Sequence, residues 1–472
     1  MGGISKKLWA HQTEALERAK DIPSFALFFE TGTGKTRTSI EIIKQKWEKH
    51  RRTLKTLILT PQVVTFNWKK EFSEYSNIPN EHVIVLHGTG DERLRQLERT
   101  PTYFVVICNY ETLLMDRVFN AIKNWSPEIV VADESHRIKN PRAQRTKRAI
   151  AVSTLAQYRY ILSGTPILQN QSDLFAQYLF LDHGKTLGSS YFTFKNLYFT
   201  DSNAGLRQKN PLIRWPNWVP KKTKEIEFQN KILSVAMSVK KSECLDLPPL
   251  IRQSVEVDMN PDQWKAYKQM RDDYITFVNS KAFTAQLAIT KAMRLQQIVS
   301  GFIMGDDDRF HAFENTPREK ALVDLLEDIT PSDKVIIWAC WRSNHETIRR
   351  LLTKHKFVFR ELLGDMSATS RDEAIRAFRE NDEVRILVGS QAAGGIGINL
   401  IEASYTIYYS RGFSLEHDVQ SEARNYRGGS EIHQKITRID LVTPGTIDES
   451  ISEALAKKQE ISEKIIGGGI KV

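Results

Sequence analysis

Short apolar runs alternate with amphipathic helical segments through residues 6–182 and again after residue 310. This alternation is typical of parallel strands that are joined by crossover helices. In the first region the candidate strands are residues 25–29, 56–60, 83–86, 104–108, 128–132 and 159–163. In the second region they are residues 335–339, 357–362, 385–389, 405–409 and 436–442. The pattern predicts an α/β fold with one parallel sheet in each region.

The segment between these regions has a different pattern. It is rich in aromatic residues, lysines and helical periodicity, and it is interrupted by Pro211, Pro216, Pro220, Pro248 and Pro249. Prolines of this kind separate helices. The chain is therefore predicted to have an N-terminal sheet domain at 1–182, a mainly helical insertion at 183–310 and a C-terminal sheet domain at 311–472.

Composition narrows the class of partner. The 472 residues carry a net charge of +10, which favours a polyanionic partner, although basic residues that only aid solubility would give the same excess. The three cysteines (Cys108, Cys244 and Cys340) lie far apart, which favours a reducing compartment over disulfides or a zinc site. The chain lacks an apolar run long enough for a membrane span, so a cytoplasmic protein is expected.

A glycine-rich turn follows the first candidate strand. Residues 30–36 read ETGTGKT, and Lys35 and Thr36 open the next helix. Glycine lets a backbone approach phosphate oxygens, and loop N–H groups together with a helix N-terminus bind anions. Lys35 would reach the β- and γ-phosphates of ATP, and the Thr36 hydroxyl would bind Mg²⁺. Phe29 stands where such loops usually have their first glycine, so an ordinary turn before a helix is the alternative.

An acidic pair ends the candidate strand 128–132. Ligands in open parallel sheets bind beyond the carboxyl ends of the strands. At this position Asp133 would hold Mg²⁺, and Glu134 would orient or deprotonate the attacking water. His136 would link this site to the rest of the protein. An acidic pair at a strand end is otherwise a solvated turn, so the assignment depends on the glycine-rich turn earlier in the chain.

Two arginines in the C-terminal region suit contact with a phosphate. Residues 420–427 read QSEARNYR, so Arg424 and Arg427 would share one face of a helix. A guanidinium suits the γ-phosphate as it leaves, and its place on a second domain would make hydrolysis depend on domain closure. Residues 389–400 form a glycine loop in which Gly395 and Gly397 would allow a nucleotide or nucleic acid to approach. Surface salt bridges are the alternative for the arginines.

In this order, the segments resemble the Swi/Snf-type ATPases of helicase superfamily II over nearly the whole chain. DESHRIKN at 133–140 is close to the family's DEAHRIKN, and LSGTPILQN at 162–170 is similar to its LTGTPLQN. Pro61 to Phe72 matches a family segment that contains a tryptophan. Ala392 stands where the family commonly has arginine. The resemblance is to compact bacterial or phage members, which implies a bacterial or phage-infected cell.

The resemblance implies two RecA-like lobes that use ATP and Mg²⁺. The implied catalytic residues are Lys35, Asp133, Glu134, Arg424 and Arg427. The implied nucleotide-binding residues, with Gln12 reading the adenine, are Gln12, Thr31, Gly32, Thr33, Gly34, Lys35, Thr36, Gly395 and Gly397. Thr36 and Asp133 would bind the metal. The residues that would couple hydrolysis to motion are His136, Ser163, Thr165 and Gln420.

Contacts between both lobes and a nucleic-acid backbone are also implied. The residues in question are Thr60, Pro61, Gln62, Asn109, Tyr110, Trp341, Arg342, Ser390 and Gln391. Backbone contacts carry no sequence information, which suits a motor. Trp215 and Trp218, which lie among lysines, would stack on bases unless they are core residues. The basic stretch 137–148 is a further candidate, or else a solvated helix face.

The leading hypothesis is an ATP-dependent translocase that moves along duplex or branched DNA. It would remodel forks and junctions in repair or recombination, or displace bound proteins. Two alternatives stay open: a helicase that separates strands of DNA or RNA, and a nucleotide-gated switch that binds nucleic acid without stepping. The preference for duplex DNA comes from the resemblance alone, RNA is not excluded, and a monomeric motor is expected.

Overall fold

Two parallel β-sheets organise the computed structural model of the chain. The structure describes residues 7–98, 104–205, 216–279, 285–305, 309–392 and 398–466. The chain divides into two compact units, Met1–Leu245 with Lys458–Val472 and Asp246–Lys457. The prediction of two parallel-sheet lobes is confirmed.

The first unit is built around a seven-stranded sheet. Its strands are β1 Ser24–Phe29, β2 Thr56–Thr60, β3 Val83–Val85, β4 Val105–Asn109, β5 Ile129–Asp133, β6 Tyr158–Leu162 and β9 Ala236–Val239. Two further strands, β7 Phe199–Asp201 and β8 Trp218–Pro220, form a separate antiparallel pair. The order is β3-β4-β2-β5-β6-β1-β9, and all neighbouring strands are parallel. The helices are α1 Ala10–Ala19, α2 Lys35–His50, α3 Thr65–Tyr75, α4 Gly90–Glu98, α5 Asp116–Trp125, α6 Gln144–Ser153, α7 Asp173–Asp182 and α8 Tyr191–Tyr198, followed by Glu225–Leu233 and Lys241–Cys244.

Alternate residues of each central strand enter different cores. Ala26 and Phe28 of β1 pack in one buried cluster, and Phe25, Leu27 and Phe29 pack in another. Because both faces of the sheet are covered, its strands are apolar throughout their length. This double burial is why the sequence shows the strands as short, unbroken apolar runs.

The carboxyl ends of β5, β6 and β1 lie side by side. Asp133 of β5 is in register with Leu162 of β6, and Leu162 is in register with Leu27 of β1. The loops that follow these three strands therefore start at one edge of the sheet, where parallel sheets bind ligands.

The second unit has a six-stranded parallel sheet. Its strands are β10 Leu250–Glu256, β13 Val335–Ala339, β14 Phe359–Leu362, β15 Ile386–Ser390, β16 Tyr405–Tyr408 and β17 Ile436–Val442. Two further strands, β11 Phe302–Met304 and β12 Phe310–Ala312, form a separate antiparallel pair. The sheet order is β10-β17-β16-β13-β15-β14. The helices are Pro261–Asn279, Ala285–Val299, Pro317–Ile329, Arg342–Lys354, Ala368–Glu380, Leu415–Glu422 and Ile447–Ile466, the last of which continues into the first unit.

The predicted middle region is divided between the two units. The boundary between the two compact units comes after Leu245, inside the segment 183–310, and the three-part division stays a prediction. Strand β9 pairs with β1, and β10 pairs with β17. The sequence did not reveal these strands, because β9 is short and β10 is an edge strand whose side chains are mostly exposed.

The three cysteines are free thiols, and burial raises the pKa of Cys108 and Cys340 to about 12. Among the described helices, none is long and apolar enough to cross a membrane.

A buried ion cluster holds the helix Leu415–Glu422 against the second sheet. The Arg438 guanidinium of β17 donates hydrogen bonds of 2.8–3.2 Å to Asp418 and Glu422 of this helix. It also lies 3.9 Å from the ring centroid of Tyr408. Burial alone would raise the pKa of Asp418, but the charges of Arg438 and Arg411 outweigh it and hold that pKa below its usual value.

Gly389 in β15 has no room for a side chain. It is in register with Trp338, which is completely buried, and a Cβ at position 389 would lie 2.4 Å from that indole ring. Gly389→Ala is therefore expected to lower the free energy of unfolding by about 1–3 kcal/mol, because the ring must shift in a packed core. Urea unfolding measures this change. Gly364→Ala is the control, since a Cβ at position 364 would have no atom within 4 Å. Equal unfolding midpoints for the two variants would contradict the packing argument.

Candidate active site

The turn between β1 and α2 has the backbone geometry of an anion-binding loop. Gly32 and Gly34 have φ angles of 94° and 82°, which residues with side chains rarely adopt. A Cβ on Gly34 would also lie 2.4 Å from Nε2 of Gln12. Helix α2 begins at Lys35, so the first N–H groups of this helix follow the loop directly.

Phe29 does not obstruct this loop. Its side chain is buried in the second core cluster, where its ring centroid lies 5.4 Å from that of His11. Its carbonyl oxygen accepts a hydrogen bond of 2.8 Å from Nζ of Lys35. The replacement of the usual first glycine is therefore compatible with the loop, because the aromatic side chain enters the core.

Helix α1 supports the loop from outside. His11 Nε2 lies 2.9 Å from the Thr33 carbonyl oxygen. Gln12 is almost completely buried; its Oε1 accepts from the Trp9 N–H at 2.9 Å, and its Nε2 donates to the Gly34 carbonyl at 3.4 Å. Gln12 is thus part of the packing around the loop, and its contact with an adenine stays a prediction.

Asp133 is a buried carboxylate with donors from several elements. Its Oδ2 accepts from the Thr60 hydroxyl at 2.9 Å and from the Trp68 indole N–H at 2.8 Å. Its Oδ1 accepts from the Glu134 N–H at 3.0 Å. Burial raises the pKa of Asp133, as does the charge of Glu134, while Trp68, Lys35 and Thr60 lower it. Burial has the largest effect, so the pKa of Asp133 is raised overall and these three groups offset part of that rise.

Glu134 lies directly after the strand in a strained conformation, since its φ of 49° is unusual for a residue with a side chain. Its Oε2 lies 3.5 Å from Nδ1 of His136, and the same nitrogen lies 3.2 Å from the Ser163 hydroxyl. The Ser163 hydroxyl in turn accepts from the Thr165 N–H at 3.1 Å. Three predicted coupling residues are thus connected to the acidic pair.

The loop after β6 also approaches the phosphate loop. A Cβ on Gly164 would lie 3.2 Å from Oγ1 of Thr31 and 3.3 Å from the Phe29 carbonyl. Ser135, which follows the acidic pair, donates to Gln177 at 2.7 Å, and Gln177 donates to the Pro166 carbonyl at 2.8 Å. The loops after β1, β5 and β6 therefore form one connected site.

The residues present fit a magnesium nucleotide. Burial raises the pKa of the Asp133 carboxyl overall, and Lys35 is close enough to offset part of that rise. Among the described residues no group of three or more His, Cys, Asp or Glu side chains could hold a metal. Mg²⁺ commonly binds through one or two protein oxygens and substrate phosphates, and Asp133 with the half-buried Thr36 would supply such a set.

The predicted helical face of Arg424 and Arg427 is wrong. The helix ends at Glu422, and both arginines lie in the turns that follow it. Arg424 is 3% exposed; its side chain donates to the Ile398 carbonyl at 3.4 Å, and its own carbonyl accepts from Leu400 at 2.9 Å. Arg427 is half-buried, and Gln420 is buried within the helix. Gly395 and Gly397 lie outside the described residues.

Several predicted nucleic-acid contacts lie inside the protein. The side chains of Thr60 and Tyr110 are completely buried and hydrogen-bond to Asp133, so they offer no surface, and the predicted contact at these two positions would have to come from the backbone. Pro61, Asn109 and Gln391 are buried as well, so their side chains do not offer a surface either. Gln62 and Arg342 are exposed, and Trp341 and Ser390 are half-buried. For these four, contact with nucleic acid stays a prediction.

Trp215, Trp218 and the stretch 137–148 were the aromatic and basic candidates for nucleic-acid contact, and some of these residues have partners within the protein. Trp215 lies outside the described residues. Trp218 is partly buried against the first core cluster, and Nζ of Lys195 lies 5.8 Å from its ring centroid. In the basic stretch Arg145 pairs with Glu111, and Arg148 pairs with Asp116. Part of its charge is therefore neutralised within the protein.

Sequence reasoning missed two residues of the site. Trp68 was only part of a matching segment, yet it donates directly to Asp133. Gln177 lies in the middle of a mostly apolar helix, and the sequence does not show that its partner is Ser135. A polar residue in an otherwise buried helix is the signal that could have found Gln177.

The fold and the connected site define a two-lobed ATPase of the helicase type. The sequence matches the SNF2-related domain over residues 15–302 and the helicase conserved C-terminal domain over residues 317–429. The chain therefore belongs to the SNF2-related family, and the resemblance to Swi/Snf-type ATPases of helicase superfamily II is confirmed.

Individual relatives are distant. Human DNA repair and recombination protein RAD54B is 23% identical over 87% of this chain and 48% of its own length, so the chain spans about half of that relative. Putative protein p41 of Acyrthosiphon pisum secondary endosymbiont phage 1 is 24% identical over 92% of each chain. The solved Sulfolobus solfataricus SWI2/SNF2 ATPase core in complex with dsDNA is 24% identical, with a TM-score of 0.45 over 99% of this chain and 94% of that one.

Glu134→Gln is expected to abolish turnover while ATP still binds. Glutamine keeps the size of the side chain but cannot take a proton from water, so hydrolysis should fall by about 100-fold or more. Steady-state phosphate release measures turnover, and a fluorescent ATP analogue measures binding. The control is Glu128→Gln. Glu128 lies before β5 and pairs with Arg52, so this variant loses a surface ion pair and should hydrolyse ATP normally. Loss of ATP binding by Glu134→Gln would contradict the role assigned to this residue.

Proposed function

We propose that this chain is an ATP-dependent translocase that moves along duplex or branched DNA. The observation that carries the proposal is the connected site at the carboxyl ends of β1, β5 and β6, where a phosphate loop meets a buried Asp133 and an adjacent Glu134. Such an arrangement serves hydrolysis of a nucleoside triphosphate, and in this family hydrolysis drives motion.

The residues of the first unit would divide the work of hydrolysis. Lys35 would neutralise the β- and γ-phosphates, and Asp133 with Thr36 would hold Mg²⁺, which would screen the phosphate charge. Glu134 orients the attacking water and takes its proton. His136 and Ser163 connect Glu134 to the loop after β6, so a change at the γ-phosphate would be felt in that loop.

A cavity beside the phosphate loop is the proposed binding site for the adenine base of ATP. It has a volume of about 600 Å³ and is lined by His11, Glu14 and Arg18 of α1 and by Met237 and Val239 of β9. His11 joins the cavity to the loop, because its ring contacts the Thr33 carbonyl. Pockets of this size hold small ligands.

Charge and relatives support DNA as the partner. The net charge of +10 favours a polyanion, and the exposed Gln62 and Arg342 are suited to phosphate contacts. The curated relatives include proteins named for DNA repair and recombination. Work on forks, junctions or bound proteins is proposed on the same basis.

The partner is tested by steady-state ATP hydrolysis without nucleic acid and with single-stranded DNA, duplex DNA, branched DNA and structured RNA. We expect duplex or branched DNA to stimulate hydrolysis by about tenfold or more, because binding is coupled to the catalytic site. Binding should also weaken steeply with salt.

Each other outcome identifies a different function. Stimulation only by single strands or by RNA would support the strand-separating helicase. Nucleotide-dependent binding with no stimulation by any nucleic acid would support the switch. A chain that hydrolyses ATP at one rate in every condition would contradict the proposal.

A further inference from the structure

Trp68 and Thr60 hold the Asp133 carboxylate from outside its own motif. Thr60 ends β2 and Trp68 lies in α3; their side chains are 0% and 1% exposed. Both donate to the same oxygen, Oδ2, at 2.9 and 2.8 Å. Neither donor is charged, so each supplies direction to the carboxylate without neutralising it.

These bonds leave one side of the carboxylate for a ligand. An ionised carboxylate has about four lone-pair positions on its two oxygens. Thr60 and Trp68 use both positions of Oδ2, and the Glu134 N–H uses one position of Oδ1. The remaining position is on Oδ1, so these donors fix which oxygen can serve a metal or its water.

The two donors lie on either side of an exposed turn. Between them in the chain is the short helical turn Gln62–Val64, in which Gln62 is exposed and Val63 is 40% exposed. Phe66, at the start of α3, is 58% exposed. A ligand that binds this turn would therefore contact the segment that joins the two donors, between the end of β2, which carries Thr60, and α3, which carries Trp68.

We propose that Trp68, together with Thr60, is a positioning residue that orients the Asp133 carboxylate and transmits to it the contact of nucleic acid with the turn Gln62–Val64. The holding of the carboxylate stands on the geometry of the first unit alone. The transmission rests on the proposed function, because it requires that nucleic acid bind at this turn.

A purely structural role for Trp68 can be separated by a matched tryptophan. Trp47 lies in the same core cluster, and both indoles pack near Phe72, with ring centroids 6.4 Å away for Trp47 and 6.2 Å away for Trp68. The Trp47 N–H donates to the Leu54 carbonyl at 3.2 Å. Trp68→Phe and Trp47→Phe therefore remove the same group from the same core, but only the first removes a donor to Asp133.

The first measurement is nucleotide affinity with a fluorescent ATP analogue, in Mg²⁺ and in EDTA, without nucleic acid. Partners that support a metal ligand typically change metal affinity or activity by 10- to 100-fold, so Trp68→Phe should weaken binding in Mg²⁺ by about tenfold. Its affinity in EDTA should not change. Trp47→Phe should match the unaltered protein in both conditions.

The second measurement is stimulation of ATP hydrolysis by duplex DNA. Trp68→Phe should lose about tenfold of the stimulation, while its affinity for DNA without nucleotide, measured by fluorescence anisotropy, is unchanged. Trp47→Phe should keep full stimulation.

A second pair on β2 protects the test against a folding defect. Thr60 and Thr56 are both completely buried, and Thr56 donates to the Leu54 carbonyl. Thr60→Val should reproduce the effects of Trp68→Phe. Thr60→Ser keeps the hydroxyl, so its nucleotide affinity in Mg²⁺ and its stimulation by DNA should be close to those of the unaltered protein. Thr56→Val should behave as the unaltered protein.

The outcomes distinguish the two parts of the inference. If Trp68→Phe and Trp47→Phe have equal affinities in Mg²⁺, and Thr60→Val equals Thr56→Val, the positioning role is overturned. If the unaltered protein is not stimulated by any nucleic acid, the proposed function fails, while the affinity measurement still tests the carboxylate. If affinity changes in Mg²⁺ but stimulation does not, transmission through this turn is overturned.

Discussion

The buried carboxylate of Asp133 is the group on which the arrangement of the first unit depends. An ionised carboxylate away from water is costly unless hydrogen bonds and a nearby cation compensate it. Here the compensation comes from the ends of β2 and β5, from α3 and from Lys35. A parallel sheet suits this requirement, because all of its strands end at one edge and can supply donors from several loops to one point.

The phosphate loop is constrained by close packing on two sides. On one side Gln12 occupies the space where Gly34 would carry a side chain, and on the other Thr31 and the Phe29 carbonyl lie against Gly164. The loop after β6 is thus fixed against the phosphate loop, and its Ser163 contacts His136. The phosphate loop and Glu134 are therefore linked through contacts between loops, by way of Gly164, Ser163 and His136.

The sequence predicted the central strands well because both sheet faces are covered, which makes each strand a continuous apolar run. It located the glycine-rich turn before α2 and the acidic pair at the end of β5, because their residue types are dictated by chemistry, and the binding of phosphate and magnesium there stays a prediction. It did not predict β10, since an exposed edge strand lacks the apolar run. The resemblance assigned Thr60 and Tyr110 to a contact surface, but which side of a loop faces inward depends on strand register and packing that no local pattern encodes.

The same distinction applies to the arginines of the second unit. The sequence indicated two arginines on one helical face, but the helix ends at Glu422. The residues after it are held by a hydrogen bond from the Leu400 N–H to the Arg424 carbonyl and by one from the Asn425 side chain to the Ala403 carbonyl. The position of this segment is set from a distance, by Arg438 acting on Asp418 and Glu422. Because a buried ion pair recovers little more than its cost of desolvation, we interpret that cluster as a device for orientation more than for stability. Arg424 is buried and bonds to the Ile398 carbonyl, whereas Arg427 is half-buried, so two arginines three residues apart have different surroundings once the helix has ended.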